Sequence, residues 1–383
     1  MVLDNFDAAA FLRDYWQKKP LLIRQGWAEW RNPLAPDELA GLACEDGVES
    51  RLITQARARW EVEAGPIPEV RFGKLGKAPW TLLVQAVDHH VPAVAALLDA
   101  FRFIPNWRVD DVMVSYATDG GGVGPHFDQY DVFLVQGLGQ RRWQLGGFCD
   151  ADTALLPHDD LRLLEHFEPE AEWLLEPGDM LYLPPRIAHN GVAVGDDCMT
   201  YSIGFRAPAR SELIAHYCDH LLAELDDDDR FNDPDLPMQP NPGEISNHAL
   251  VRLRSMIADQ LADEVSFARW FGSYTSQPKY PEIDWSPETQ VTAAEVAERL
   301  GAGGALRRNP ASRFSYVRQA GGGLLLFVDG AVHSLAGALV PLAEALCASA
   351  QPAIGDVVLI DAAAIALLTD LLNEGSLAFA DDV

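Results

Sequence analysis

The sequence is short of positive charge: 29 lysines and arginines stand against 57 aspartates and glutamates in 383 residues, a formal net charge of −28. Such a chain lacks the basic footprint that phosphate backbones require, which argues against DNA binding and leaves room for a basic partner. Cysteine is sparse. Cys44, Cys149, Cys198, Cys218 and Cys347 are odd in number and no two form a CxxC, so neither a disulfide framework nor a zinc knuckle is expected. No run of about 20 uninterrupted apolar residues occurs, so no membrane span is expected. The opening MVLDNFDAAAFLRDYWQKKP lacks the apolar stretch of a signal peptide. These traits point to a reducing cytoplasm.

What is present suffices for a large core, since 48% of the residues are hydrophobic, and the length suggests two or three domains. Residues 5–17 carry helical periodicity through Phe6, Phe11, Leu12 and Tyr15, Pro20 ends that helix, and LLIR follows as a strand. Residues 34–44 and 80–101 read as further helices. From Trp107 to Phe205 the pattern changes to short strands: VDDVMVSYA, DVFLVQ, RRWQLG, DMLYLP and MTYSIGF, with glycines marking turns between them. Many short strands favour a sandwich or barrel over alternating βαβ units. Residues 209–231 and 246–271 return to helix, and the run Asp226–Asp229 reads as a solvated loop. After residue 286 come a helix, two strand-like pieces (RFSYVRQ and GLLLFVDG) and two helical runs, a winged-helix-like order without a concentrated basic face. The boundaries expected are therefore 1–208, 209–285 and 286–383.

The candidate chemistry lies in GVGPHFDQYDVFLVQGLGQRRWQLGG. His126 and Asp128 are one residue apart, and in extended chain positions i and i+2 share a side. Phe127 then faces the opposite way. PGDMLYLPPRIAHNG supplies His189, 61 residues after Asp128. Two neutral imidazoles and a carboxylate on one side of an ion leave its other side open, the facial arrangement used by non-haem Fe(II). The donor set alone also admits zinc, manganese or nickel. His216 and His220 share a helix face but complete no recognised metal motif.

The chain resembles the JmjC-type 2-oxoglutarate oxygenases, specifically the bacterial ribosomal oxygenases. WQKKPLLIR, VSYATDGGGVGPHFDQYDVFLVQGLGQRRWQLG, and PGDMLYLPPRIAHNGVA followed by YSIGFRAP carry the resemblance. It implies a mixed α+β protein: a double-stranded β-helix core of the cupin/JmjC jelly-roll type, helical additions including a dimerisation region, and a C-terminal winged-helix-like domain. It also implies Fe(II) held by His126, Asp128 and His189, with 2-oxoglutarate and O2 as cosubstrates. The substrate implied is a basic large-subunit ribosomal protein, hydroxylated at the 3-position of an arginine. By resemblance, Arg141 binds the distal carboxylate of 2-oxoglutarate. The residues themselves leave the choice between Arg141 and Arg142 open, because neighbours on a strand face opposite ways. Asp119 matches the acidic position that contacts the target guanidinium, while its local sequence equally fits an Asx turn before glycine. Asn190 is without an assigned role. The competing readings are a ribosomal histidine hydroxylase, a demethylase, another cupin enzyme, and a non-enzymatic ribosome-assembly protein.

Overall fold

The computed structural model describes residues 3–56, 59–76, 78–226, 228–355 and 361–382. Asp227, inside the acidic run expected as a loop, lies outside the described residues. The chain divides into two compact units, the first chiefly Met1–Ala207 and the second chiefly Pro208–Val383.

In the first unit, α1 (Ala8–Asp14) starts where the Asp7 carboxylate accepts hydrogen bonds from the Ala9 and Ala10 N–H groups. Its buried Phe11 packs edge-on to Tyr182 at 4.7 Å. Strand β1 (Leu21–Ile23), helix α2 (Pro36–Leu42), the hairpin β2 (Ser50–Ala56) and β3 (Arg59–Ala64), and the short α3 (Glu69–Phe72) follow.

The helix expected over 80–101 is not formed as such. Trp80–Val84 is strand β4, paired with β2, and only afterwards come α4 (Val87–His90), α5 (Pro92–Ala95) and a 3-10 turn over Ala96–Phe101. Four of the five β4 residues are buried, so no alternation betrays the strand. A fully buried apolar run of this length reads equally well as helix.

Strands β5 (Val109–Ala117), β6 (Asp131–Phe148), β7 (Ala171–Leu175), β8 (Met180–Leu183) and β9 (Ile187–Phe205) complete a nine-stranded antiparallel sheet. The strand order is β1-β8-β6-β9-β5-β4-β2-β3, with β7 on β6. One apolar layer, with Phe133, Val135, Tyr182 and Tyr201, meets the N-terminal helix through Phe11. The other gathers Val132, Leu134, Trp143, Leu145, Leu181 and Leu183 on the opposite side of the same strands.

The glycines of Gly137-Leu138-Gly139 were expected to make a turn between two strands. They instead bend one continuous 18-residue strand, with register shifts against β9 on both sides of Leu138. Gly139 has φ +58, and a Cβ there would come within 2.8 Å of the Asp197 carbonyl oxygen. Before the bulge, even-numbered residues (Val132, Leu134) belong to the inner layer; after it, odd-numbered ones do (Trp143, Leu145). The bulge inserts one residue and switches the face of everything downstream.

In the second unit, α6 (Arg210–Glu224) precedes α7 (Asn247–Leu261) and α8 (Glu264–Ser276). The helix expected over 246–271 is thus two, because Asp263 caps a new one through the Val265 and Ser266 N–H groups. Then come α9 (Ala293–Gly301), β10 (Leu306–Arg308), β11 (Phe314–Arg318), β12 (Leu324–Val328), β13 (Ala331–Leu335), α10 (Leu339–Ala348), α11 (Ala362–Asn373) and β14 (Leu377–Phe379). Strands β11, β12 and β13 form an antiparallel sheet, of which β13 was not foreseen. Helix α8 lies so close to it that a Cβ at Gly272 would meet the Phe327 ring at 2.2 Å. The expected mixed α+β organisation, with a β-rich core and a winged-helix-like C-terminal part, is what the chain adopts.

A Cβ at Gly137 would stand 2.4 Å from the Tyr201 ring. Gly137→Val should lower the unfolding free energy by about 1–3 kcal/mol, as overpacking does. Urea denaturation measures it, and an unchanged midpoint would show that the bulge is not tightly packed.

Candidate metal centre

His126 and His189 are set side by side by backbone. The His126 N–H donates to the His189 carbonyl at 3.0 Å and the His189 N–H returns the bond at 2.8 Å. His189 lies in β9, whereas His126–Asp128 is an extended segment with an isolated bridge at His126 rather than part of a strand. The alternation expected of it holds: Phe127 packs with Cys149, Leu164 and Ala188, away from the neighbouring side chains. Asp128 is pinned as well, since its carbonyl accepts from the Arg186 N–H at 2.7 Å. Arg186 holds φ +69, a left-handed conformation unusual for a non-glycine residue.

One donor atom from each of His126, Asp128 and His189 lies within 4.8 Å of the others, and the His189 Nε2 to Asp128 Oδ2 distance is 3.6 Å. Among the described residues this is the group of His, Cys, Asp and Glu with metal-holding geometry. His126 Nδ1 meets the Gly124 carbonyl at 2.8 Å and His189 Nδ1 meets the Ile187 carbonyl at 2.9 Å. A carbonyl can only accept, so each Nδ1 carries the proton and each Nε2 keeps its lone pair. Burial, helped by the nearby His126, pushes the His189 imidazole down to about 4, against the pull of Asp128. It is therefore neutral, as a ligand must be, at ordinary pH. Two imidazole nitrogens and a carboxylate, without a thiolate, fit a divalent first-row ion.

Arg141 is 3% exposed, and its Nε and Nη2 have no hydrogen-bond partner among the described residues. Only Nη1 makes a long contact, 3.5 Å to the Gly191 carbonyl. Arg142 faces outward and pairs with Glu172 at 3.4 Å. The bulge decides between them: it turns the odd-numbered residues inward. A buried guanidinium without a counter-charge is costly, so this position calls for an anion, and a carboxylate matches its fork.

Asp119 is exposed, and its Oδ1 accepts from the Gly195 N–H at 2.8 Å, tying its loop to β9. Asn190 faces away from His189 and donates to Gln144 Oε1 at 3.1 Å. On α6, His220 stands 3.8 Å from Glu224 and His216 packs on the Tyr274 ring, so the two complete no metal group. Tyr130 and Trp143 were missed in the sequence. The Tyr130 hydroxyl bonds to Asp128, and burial plus the neighbouring Asp128, Asp111 and Asp110 carboxylates raise its pKa. Trp143 lies 6.0 Å, ring to ring, from His189. Extending the i, i+2 rule one step beyond Asp128 and Arg141 would have found both.

A family profile described as the JmjC domain matches residues 96–213, and one described as the ROXA-like winged helix matches residues 259–378. The chain is 40% identical over 300 residues to the ribosomal protein uL16 3-hydroxylase of Escherichia coli, covering 76% of this chain and 79% of that one. An X-ray structure of E. coli YcfD superposes with a TM-score of 0.90 at 35% identity, covering 99% of this chain and 100% of that one. A structure of E. coli YcfD, a ribosomal oxygenase, in complex with cobalt and 2-oxoglutarate superposes with a TM-score of 0.87 at 35% identity, covering 99% of each chain.

Asp128→Ala should weaken Mn(II) binding by more than the roughly 10- to 100-fold typical of losing an outer-shell partner. Mn(II) electron paramagnetic resonance titration reads this. Arg142→Ala, which removes an exposed pair, should leave the metal affinity unchanged; equal losses in both variants would refute the site.

Proposed function

The chain belongs to the bacterial JmjC-type ribosomal oxygenases, and on that premise we propose that it is an Fe(II)- and 2-oxoglutarate-dependent dioxygenase that hydroxylates an arginine of ribosomal protein uL16 at the 3-position. The observation that carries this reading is the pairing of a His126–Asp128–His189 donor set with a buried, uncompensated Arg141 in the same inner layer. A metal site alone suits many cupin enzymes; a metal site with an anion hole suits a keto-diacid. A non-enzymatic assembly role would leave that guanidinium as a cost without a use.

Fe(II) with 2-oxoglutarate supplies the chemistry when bound: O2 is spent in oxidative decarboxylation to succinate and CO2, with one oxygen atom entering a substrate C–H bond. The chain's residues bind and orient. His126, Asp128 and His189 would occupy one side of the ion and leave the other for cosubstrates. Arg141 would hold the distal carboxylate through paired N–H donors. No side chain has to act as general acid or base. The Asp110 and Asp128 carboxylates near Tyr130 would favour a guanidinium there. We assign Asp119 to that guanidinium as well, through the oxygen not engaged by Gly195.

The helical stretch 209–285 is assigned to self-association. No side chain of α7 is buried in the chain, and Leu250, Val251, Leu253 and Ile257 are exposed along it. A second copy would remove that apolar surface from water. The region 286–383 is assigned to protein contacts rather than DNA, in keeping with the acidic chain. A ribosomal protein as substrate supports reading the enzyme as cytoplasmic.

Protein incubated with Fe(II), 2-oxoglutarate, O2 and uL16 should add one oxygen atom to an arginine, located by tandem mass spectrometry. Arg141→Met should raise the KM for 2-oxoglutarate roughly 30-fold or more, the loss of about 2 kcal/mol or more expected for an orphaned charge pair. Asp119→Ala should raise the KM for uL16 roughly tenfold while leaving substrate-free 2-oxoglutarate turnover intact. An unmodified uL16 would overturn the substrate, and an unchanged KM would overturn the residue concerned.

Leu250→Asp combined with Ile257→Asp should convert a dimer to a folded monomer in sedimentation velocity. A wild-type monomer at micromolar concentration would refute self-association through α7.

A further inference from the structure

Trp143 follows Arg141 by two residues on β6 and shares its inward face. It is 6% exposed, and its indole Nε1 is buried without a hydrogen-bond partner among the described residues. The Arg141 guanidinium carbon lies 5.8 Å from its ring centroid, and the His189 ring 6.0 Å away. The six-membered edge is pressed against β9, where a Cβ at Gly191 would come within 2.6 Å of Trp143 Cη2. The indole is thus fixed between the anion hole and the metal-side histidine.

Burying an N–H without an acceptor is a standing cost, and the side chains clustered with Trp143 (Val132, Leu134, Leu181, Leu183) offer no acceptor. Among the described residues, Arg141 Nε, Arg141 Nη2 and Trp143 Nε1 are three unpartnered buried donors on side chains two residues apart on the same face of β6. Donors without acceptors are the complement of a carboxylate, which accepts at about four lone-pair positions and donates nothing. Trp27 and Trp60 also bury unpartnered indole N–H groups; what sets Trp143 apart is the unpartnered Arg141 guanidinium 5.8 Å from its ring.

We propose that the Trp143 indole N–H donates a hydrogen bond to the distal carboxylate of 2-oxoglutarate, alongside Arg141. This rests on the reading of the chain as a 2-oxoglutarate enzyme. Trp143 is then a cosubstrate-binding residue, and the carboxylate is held from two directions, which fixes its rotation as well as its position.

The test uses the full chain loaded with Mn(II) without O2, titrated calorimetrically with 2-oxoglutarate and with 2-oxovalerate, which lacks the distal carboxylate. Trp143→Phe should bind 2-oxoglutarate roughly tenfold more weakly, with Mn(II) and 2-oxovalerate affinities unchanged. Wild-type affinity for 2-oxoglutarate in the variant would overturn the role of Trp143, as would an equal loss for both keto acids. Failure of the wild-type protein to bind 2-oxoglutarate would overturn the underlying reading instead. Should the variant not fold, ¹⁵N-indole spectra of the wild-type protein decide: one indole N–H resonance should move downfield with 2-oxoglutarate but not with 2-oxovalerate. No such movement would overturn the proposal.

Discussion

The antiparallel pairing of β6 with β9 is the constraint on which the site depends. It sets Arg141 opposite Ala193, Trp143 opposite Gly191 and Leu145 opposite His189. The Arg141 guanidinium and the His189 imidazole are therefore separated by a ladder of known spacing rather than by a loop. The second imidazole is attached to the first by its own reciprocal backbone pair. Positions inherited from a ladder are stiff, and stiffness is what a multi-donor site needs.

Around this ladder, polar groups are treated in two ways. Buried carboxylates are saturated: Asp131 at the start of β6 accepts from Tyr182, Gln17 and Arg108. Burial raises its pKa while those bonds pull the other way. Buried Asp179 is likewise met by Arg24 and by the Gln25 and Glu176 N–H groups. On the inner side, Arg141 and Trp143 are left with donors unmet. The contrast marks the Arg141 guanidinium as a place where an added anion would find donors.

Much of this was legible beforehand, for physical reasons. The i, i+2 spacing of His126 and Asp128 survives even where no regular strand forms, because extended chain alternates regardless of its partners. Glycine- and proline-bounded strands such as VDDVMVSYA and MTYSIGF were readable from their ends. Strand β4 was not, since burial on both faces erases periodicity. Nor could local sequence choose between Arg141 and Arg142. Their facing is set by a bulge whose existence depends on Tyr201 and Asp197 crowding Gly137 and Gly139 across the sheet, contacts more than 55 residues away in the chain. Resemblance supplied that choice, and the bulge gives its cause.

The same bulge bears on how related sequences are aligned. It adds one residue to β6 between Gln136 and Leu138, next to three extra residues in β9 opposite Leu138–Gln140, and the alternation is inverted beyond it. A relative lacking that residue would keep the alternation of Val132 and Leu134 in this strand, and its counterpart of Arg141 would then fall on the even, inward positions that Val132 and Leu134 occupy here. A one-residue gap at this point is therefore no sign of a lost anion hole. A relative of equal length whose glycines are replaced by residues favouring regular pairing is the more suspect, because there the two arginines would trade places.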